Sequence, residues 1–216
     1  MTEAVYFDLD GTLFDDRQYV RAGLRAAGAV LAAETGSDLT DELIDAYFEH
    51  GITESTFDTV LEEHNLPLAL VPSLVEAYHN NSADLDCFPG VVETIETLSK
   101  TYKLGVITGG RNGRGKLSQL GISQYFETVF VSPEFGSSKR RPEIFEAALA
   151  SLDVDADAAV YVGDRPSLDF PQSNTLGMTT VRLKTGRYMT AEATGNAQPD
   201  IVLDSITELP DVLATE

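Results

Sequence analysis

Scarcity bounds this chain before any motif does. Cysteine occurs once, at Cys87, which excludes a disulfide framework and a cysteine-built zinc site. Long apolar runs are missing as well. No stretch reaches the ~18 consecutive apolar residues of a membrane-spanning helix, so neither a transmembrane segment nor a membrane partner is expected. The N-terminus reads Met-Thr-Glu-Ala and passes straight into a β-forming run. It lacks the basic and apolar regions of a secretory signal, and a cytoplasmic location is the expectation. Lysine is scarce: only 5 of the 15 basic residues are lysine, against 35 acids, for a net charge of −20. Such a surface repels nucleic-acid phosphates, so neither DNA nor RNA is expected as a partner. An acid excess with few lysines also suits a host with high internal salt, where charge is screened over a few ångströms. On that hypothesis the melting temperature rises between dilute buffer and molar salt. A flat or falling response would remove it.

What remains is a globular composition, 216 residues with 43% hydrophobic content, enough for one large domain or a domain with an insert. The chain is organised around Val5-Tyr6-Phe7-Asp8-Leu9-Asp10-Gly11-Thr12-Leu13. Val5 to Phe7 reads as a buried strand delivering Asp8 and Asp10 at its carboxyl end. Side chains alternate along a strand, so both acids are expected on one side with Leu9 opposed. Two neighbouring carboxylates are electrostatically costly unless a cation or a shared proton relieves them. The pair therefore reads as a divalent-metal site, an acid/base pair or both, set against the plain alternative of a polar Asp-Gly turn.

Helical periodicity follows over Arg17–Glu34, Thr40–Phe48, Thr53–His64 and Pro72–His79, with no convincing strand among them. From Cys87-Phe88-Pro89-Gly90 the pattern changes to strands alternating with helices. The strands are expected over 103–107, ending at Thr108, then 128–131, 159–162, ending at Gly163-Asp164, 178–183 and 201–203. The helices are expected from about 91 to 101, from Lys116, from 142 to 152, after Asp164 and at the C-terminus, with 185–199 as a long loop. Continuous apolar strands between helices predict an α/β fold, a doubly wound parallel sheet of Rossmann-like type with an inserted all-helical domain. The expected division is 1–15 with 88–216 as the core and 16–87 as the insert. Ligands of such sheets bind at the carboxyl ends of strands, which would gather Asp8, Thr108 and Asp164 on one edge.

At these positions the chain resembles the haloacid dehalogenase-like hydrolases. Asp8-Leu9-Asp10-Gly11-Thr12 is similar to the family's first motif and Thr108, at a strand end, to its second. Lys139, spaced from Pro142, Ile144 and Phe145, is similar to the third, and Gly163-Asp164 with Asp169 and Gly177-Met178 to the fourth. The insert resembles the family's type-1 cap, which would hinge near Asp15 and Cys87-Phe88 and close over the site. The resemblance implies a phosphatase acting on a small phosphorylated metabolite. Asp8 would be the nucleophile and Asp10 the acid and then the base. Mg²⁺ would lie among the Asp8 carboxylate, the Asp10 carbonyl and Asp164, supported by Asp169. Thr108, the Gly109 backbone and Lys139 would bind the phosphoryl group. Dehalogenase and phosphomutase activities are the alternatives within the family. Asp10 favours phosphate esters, because a departing halide needs no proton.

The departures from the pattern are Gly109 where Asn is common, a short loop to Lys116, Arg140-Arg141 before Pro142, and Gln172 where glycine is common. Gly110-Arg111-Asn112-Gly113-Arg114-Gly115-Lys116 also nearly spells a phosphate-binding loop and supplies the rival reading, a nucleotide-binding protein; a non-catalytic binding module on the same fold is a further one. Position 117 is Leu, however, so the hydroxyl that would ligate magnesium is missing. The acids from Asp153 to Asp157 read as a solvated turn. His50, His64 and His79 lie 14 and 15 residues apart, which is no metal-ligand spacing. Arg111, Arg114, Lys116, Lys139, Arg140 and Arg141 fall in two loops and form either a cationic funnel for an anionic substrate or ordinary salt bridges. Arg17, Arg21, Arg111 and Arg114 are the candidate substrate contacts.

Overall fold

The structure is a computed structural model and describes residues 1–214. Six strands form one parallel sheet: β1 Ala4–Phe7, β2 Lys103–Thr108, β3 Thr128–Val131, β4 Ala159–Gly163, β5 Thr179–Leu183 and β6 Ile201–Leu203. Their order is β3-β2-β1-β4-β5-β6. The ten α-helices among the described residues are α1 Arg17–Thr35, α2 Thr40–Phe48, α3 Thr56–Glu63, α4 Val71–His79, α5 Val91–Leu98, α6 Gly113–Gln119, α7 Ser132–Phe135, α8 Glu143–Leu152, α9 Pro166–Leu176 and α10 Leu209–Leu213. This is the Rossmann-like arrangement expected from the alternating pattern. None of these helices is long and apolar enough to cross a membrane.

The chain divides into two compact units, Met1–Asp16 with Leu85–Glu216, and Arg17–Asp84. In the first, every residue of β1 is buried. Successive side chains point to opposite faces, so both faces of the sheet are covered. On one face Ala4, Tyr6, Ile107 and Tyr161 pack against Ile144, Phe145 and Ala148 of α8. Burying each such large apolar side chain contributes about 1.5–3 kcal/mol. The Tyr6 hydroxyl donates to the Ala148 carbonyl at 2.9 Å, so the strand's one polar tip is satisfied.

The register places the chemistry. Phe7 is level with Val106 of β2 and Val162 of β4, so the residues that follow each strand emerge together. The strand order reverses between β1 and β4, the point where a cleft opens beyond the carboxyl ends. Asp8 leaves β1 there, its N–H still bonded to Val162 O at 2.8 Å. Gly11 then turns the chain at φ +86°, a conformation that L side chains rarely adopt.

The second unit is a four-helix cluster. Val20, Leu24, Ala27 and Leu31 of α1 form a stripe of helical period that packs on Leu43, Val60, Leu61 and Leu74. Gly23 permits the close approach of α4: a Cβ there would stand 2.5 Å from the Tyr78 ring.

Three details differ from the periodicity. α3 begins at Thr56, not Thr53, after a turn at Gly51 with φ +68°. α6 begins at Gly113, three residues before Lys116, because Asn112 takes a left-handed φ of 57° and starts the helix early. α7 has four residues, too few to show any period.

Candidate active site

Asp8 is buried and its Oδ1 accepts a hydrogen bond from Lys139 Nζ at 2.6 Å. The same ammonium donates to Asp169 Oδ1 at 2.5 Å and to the Tyr161 hydroxyl at 3.2 Å. Tyr161 in turn donates to the Ile107 carbonyl at 3.1 Å. Lys139 is only 2% exposed. Burial works against its charge, but Asp169 and Asp8 hold its pKa well above the usual lysine value. Asp169 spends its second oxygen on the Arg165 N–H at 2.8 Å. It stands at the first turn of α9, where a helix dipole favours a carboxylate.

Asp164, at the end of β4, is nearly as enclosed. Its Oδ1 accepts from Thr12 Oγ1 at 3.3 Å, while its Oδ2 is buried with no hydrogen-bond partner among the described residues. Gly11 leaves that oxygen its room, since a Cβ at 11 would stand 2.5 Å from it. Burial first, and then the charges of Asp8 and Asp169, push the Asp164 carboxyl up to about 8. Burial likewise raises Asp8 to about 7; Lys139 pulls it down, and Asp169 and Asp10 add to the rise.

Asp8, Asp164 and Asp169 can each offer an oxygen within 4.8 Å of the others. Three buried carboxylates around one ammonium leave an excess of negative charge in a low-dielectric site. That excess, the unpartnered Asp164 oxygen and the all-oxygen donor set fit a hard divalent cation.

Asp10 is held apart from this cluster. Its Oδ1 accepts from Lys116 Nζ at 2.5 Å and its Oδ2 from Thr108 Oγ1 at 3.3 Å. The strand ends at Phe7, and each of the two acids that follow has a lysine of its own. Thr108 Oγ1 also accepts from the Gly110 N–H at 3.2 Å, which curls the loop after β2. Gly109 is exposed, and a Cβ there would meet nothing closer than Lys139 Cε at 3.8 Å. Its missing side chain is therefore not sterically required.

Arg114 donates to the Val129 carbonyl on the edge strand β3 at 2.8 Å, and Arg111, Arg140 and Arg141 are exposed. Half of the proposed funnel is thus committed, Lys116 and Lys139 to carboxylates and Arg114 to backbone. Gln172, the departure from glycine, donates to the Arg140 carbonyl at 3.1 Å and ties α9 to the Lys139 loop. Arg17 and Arg21 belong to the helical unit, where the Arg21 guanidinium lies 4.0 Å over the Phe48 ring. Burial, with Asp86 and Glu93 nearby, pushes the Cys87 thiol up to about 11, the opposite of an activated nucleophile. The Lys116 contact to Asp10 and the Tyr161 contact to Lys139 are absent from the sequence reading. A lone phenol in the apolar run 159–163 was the available signal for Tyr161.

Comparison with known proteins agrees with this geometry. A family model described as haloacid dehalogenase-like hydrolase matches residues 5–183. A glyceraldehyde 3-phosphate phosphatase of Methanopyrus kandleri is 35% identical, aligned over 99% of this chain and 97% of its own length. A ribulose-1,5-bisphosphate 5-phosphatase of Halopiger xanaduensis is 29% identical, over 99% and 100% respectively. The crystal structure of a 2-haloacid dehalogenase from Pseudomonas syringae pv. Tomato superposes with a TM-score of 0.75 at 27% identity, covering 100% of this chain and 99% of that one.

Proposed function

The chain belongs to the haloacid dehalogenase-like hydrolase family, and we propose that it is a Mg²⁺-dependent phosphatase of a small phosphorylated metabolite. The observation that carries the reading is the pairing of two acids with two environments. Asp8 sits in the carboxylate cluster on Lys139, and Asp10 stands outside it on Lys116 and Thr108. One acid is placed for attack and the other for proton transfer. A dehalogenase needs only the first, so the presence of Asp10 sets this chain apart from that activity.

In the first half-reaction an Asp8 carboxylate oxygen bonds to phosphorus as the ester P–O bond breaks, and the carboxyl of Asp10 gives its proton to the departing alkoxide. In the second, Asp10 takes a proton from water as the water oxygen bonds to phosphorus and the Asp8–phosphorus bond breaks. Inorganic phosphate leaves and both acids are restored. Lys139 restrains Asp8 and offsets phosphoryl charge, while Thr108 and the Gly109 backbone face the transferring group. Asp8, Asp164 and the Asp10 carbonyl would hold Mg²⁺, with Asp169 as support. When bound, the ion supplies charge that keeps the carboxylates ionised and offsets the phosphoryl oxygens.

The helical unit Arg17–Asp84 is the proposed cap and the source of specificity. The names of the relatives make a triose phosphate and a pentose bisphosphate the first substrates to try. The test is a phosphate-release screen over sugar phosphates, triose phosphates, phosphoglycolate and nucleotides, with Mg²⁺ and with chelator. Mg²⁺-dependent release from at least one small ester is expected. Halide release from 2-haloacids with no phosphate release would overturn the reading.

A further inference from the structure

The glycine-rich loop between β2 and α6 is the one motif that the phosphatase reading leaves unused. It resembles a phosphate-binding loop in sequence, yet its lysine faces an acid. Lys116 is 4% exposed, and its Nζ lies 2.5 Å from Asp10 Oδ1. The loop's glycines are what deliver it there. Gly113, the first residue of α6, sits so low on the sheet edge that a Cβ would stand 2.9 Å from Thr108 Cγ2 and 2.9 Å from Val131 Cγ2. Gly115 lies against the Asn112 side chain, which a Cβ would meet at 2.3 Å. With α6 seated this closely, the side chain of its fourth residue reaches back over the end of β2 to a carboxylate 106 residues away in sequence.

A carboxylate two residues from Asp8 would be drawn toward any cation held by Asp8, Asp164 and Asp169, because a divalent ion outcompetes neutral donors for charged oxygens. Lys116 supplies an opposing charge at a fixed place. Its grip is also asymmetric. Oδ1 is committed to the ammonium, whereas Oδ2 has only the longer Thr108 contact of 3.3 Å. Gly110 keeps space around that second oxygen: a Cβ at 110 would stand 2.2 Å from Oδ2 and 3.0 Å from Lys116 Nζ.

We propose that Lys116 is a positioning residue that commits Oδ1 of Asp10 and, together with the missing side chain of Gly110, leaves Oδ2 as the oxygen that exchanges a proton with the leaving group and then with water. This inference rests on the phosphatase reading and adds to it a residue and an oxygen. The proton balance is that of the two half-reactions above. Oδ2 loses its proton to the alkoxide as the ester bond breaks and regains one from the attacking water.

Leaving groups separate this role from a merely structural one. p-Nitrophenolate departs without protonation, whereas the alkoxide of an alkyl phosphate does not, and kcat/KM reports only on steps up to leaving-group departure. In Lys116→Met, kcat/KM for an alkyl phosphate should fall by about 10²-fold, the usual worth of a placed acid. For p-nitrophenyl phosphate kcat/KM should fall only about threefold, with kcat falling further for both esters because the water step needs the same oxygen. Lys116→Arg should recover part of the alkyl-phosphate loss. Gly110→Ala, which keeps the lysine in the chain and crowds Oδ2 far more closely than the Lys116 Nζ, should reproduce the split and covers the case in which Lys116→Met folds poorly. Equal losses on both esters in the folded variants, or no loss, would overturn the role of Lys116 while leaving the phosphatase reading intact. No turnover of either ester by the wild-type protein would overturn that reading, and this one with it.

Discussion

Asp8→Asn is expected to abolish turnover of every phosphate ester, by about 10⁴-fold or more, the scale seen when a nucleophile that acts as part of a unit is removed. The amide retains an oxygen at the place where Lys139 Nζ now donates at 2.6 Å, so the side chain can stay where it is. It loses the negative charge and the lone-pair basicity that attack on phosphorus requires. The fold should survive, because the substitution removes the charge of one of the two buried carboxylates paired with a single ammonium. The metal-free variant should melt no lower than the metal-free wild type. Asp10→Asn should be milder and selective. It spares the nucleophile, and in kcat/KM it spares the ester with a good leaving group while costing about 10²–10³-fold on alkyl phosphates; kcat falls for both, because the water step needs the same acid. Steady-state rates with p-nitrophenyl phosphate and one alkyl phosphate, beside a melting curve for each protein, decide the matter. If Asp8→Asn kept more than about 1% of wild-type kcat, a scale set by general rather than nucleophilic catalysis, Asp8 would not be the attacking group.

The parts of this molecule that were legible in the sequence are those whose physics is local. β1, β2 and β4 are continuous apolar runs, each cut off by a polar residue, and burial on both faces requires that composition. The stripe of Val20, Leu24, Ala27 and Leu31 declares α1 by period alone. Because parallel strands in register end level with one another, the strand-end residues Asp8, Thr108 and Asp164 follow from the topology once the strands are known. Contacts that depend on loop conformation were not legible. Lys116 meets Asp10 only because Asn112 adopts a left-handed φ and α6 starts early. No periodicity encodes that. Tyr161 lies in a correctly expected strand, but the direction of its hydroxyl, toward Lys139 and the Ile107 carbonyl, follows from packing against Phe145 at a ring-centroid distance of 5.2 Å. A short apolar run gives no such information.

The same buried charges predict an unusual response of stability to pH. Carboxylates with partners commonly have depressed pKa values and stabilise a fold as pH rises. Asp8 and Asp164 behave in the opposite sense, raised chiefly by burial to about 7 and about 8. In the unfolded chain such groups titrate near 3.9. Between those limits the folded protein holds more protons than the unfolded one, so stability falls as pH rises. The loss begins near pH 4, is steepest between about pH 5 and pH 6.5, where both acids are protonated in the fold and ionised in the unfolded chain, and levels off above about pH 8. Each ionisation against burial costs on the order of a few kcal/mol, and the total is less than twice that because the two acids influence one another. The surface, with its net charge of −20, adds a loss of its own, but that part is screened by salt and the buried part much less so. Chemical denaturation of chelator-treated protein at high salt, between pH 5 and pH 8, therefore isolates the cluster. Stability should decline across that range in the wild type, and Asp164→Asn, which removes the acid raised furthest, should flatten the decline. Excess Mg²⁺ should have its largest stabilising effect at the alkaline end, where the carboxylates are ionised and free to bind it. At a concentration of one hundred times the dissociation constant that gain is about 2.7 kcal/mol. A wild-type profile that is level from pH 5 to pH 8 without metal, or a gain from Mg²⁺ that Asp164→Asn leaves untouched, would show that the cluster neither stores this repulsion nor holds the ion.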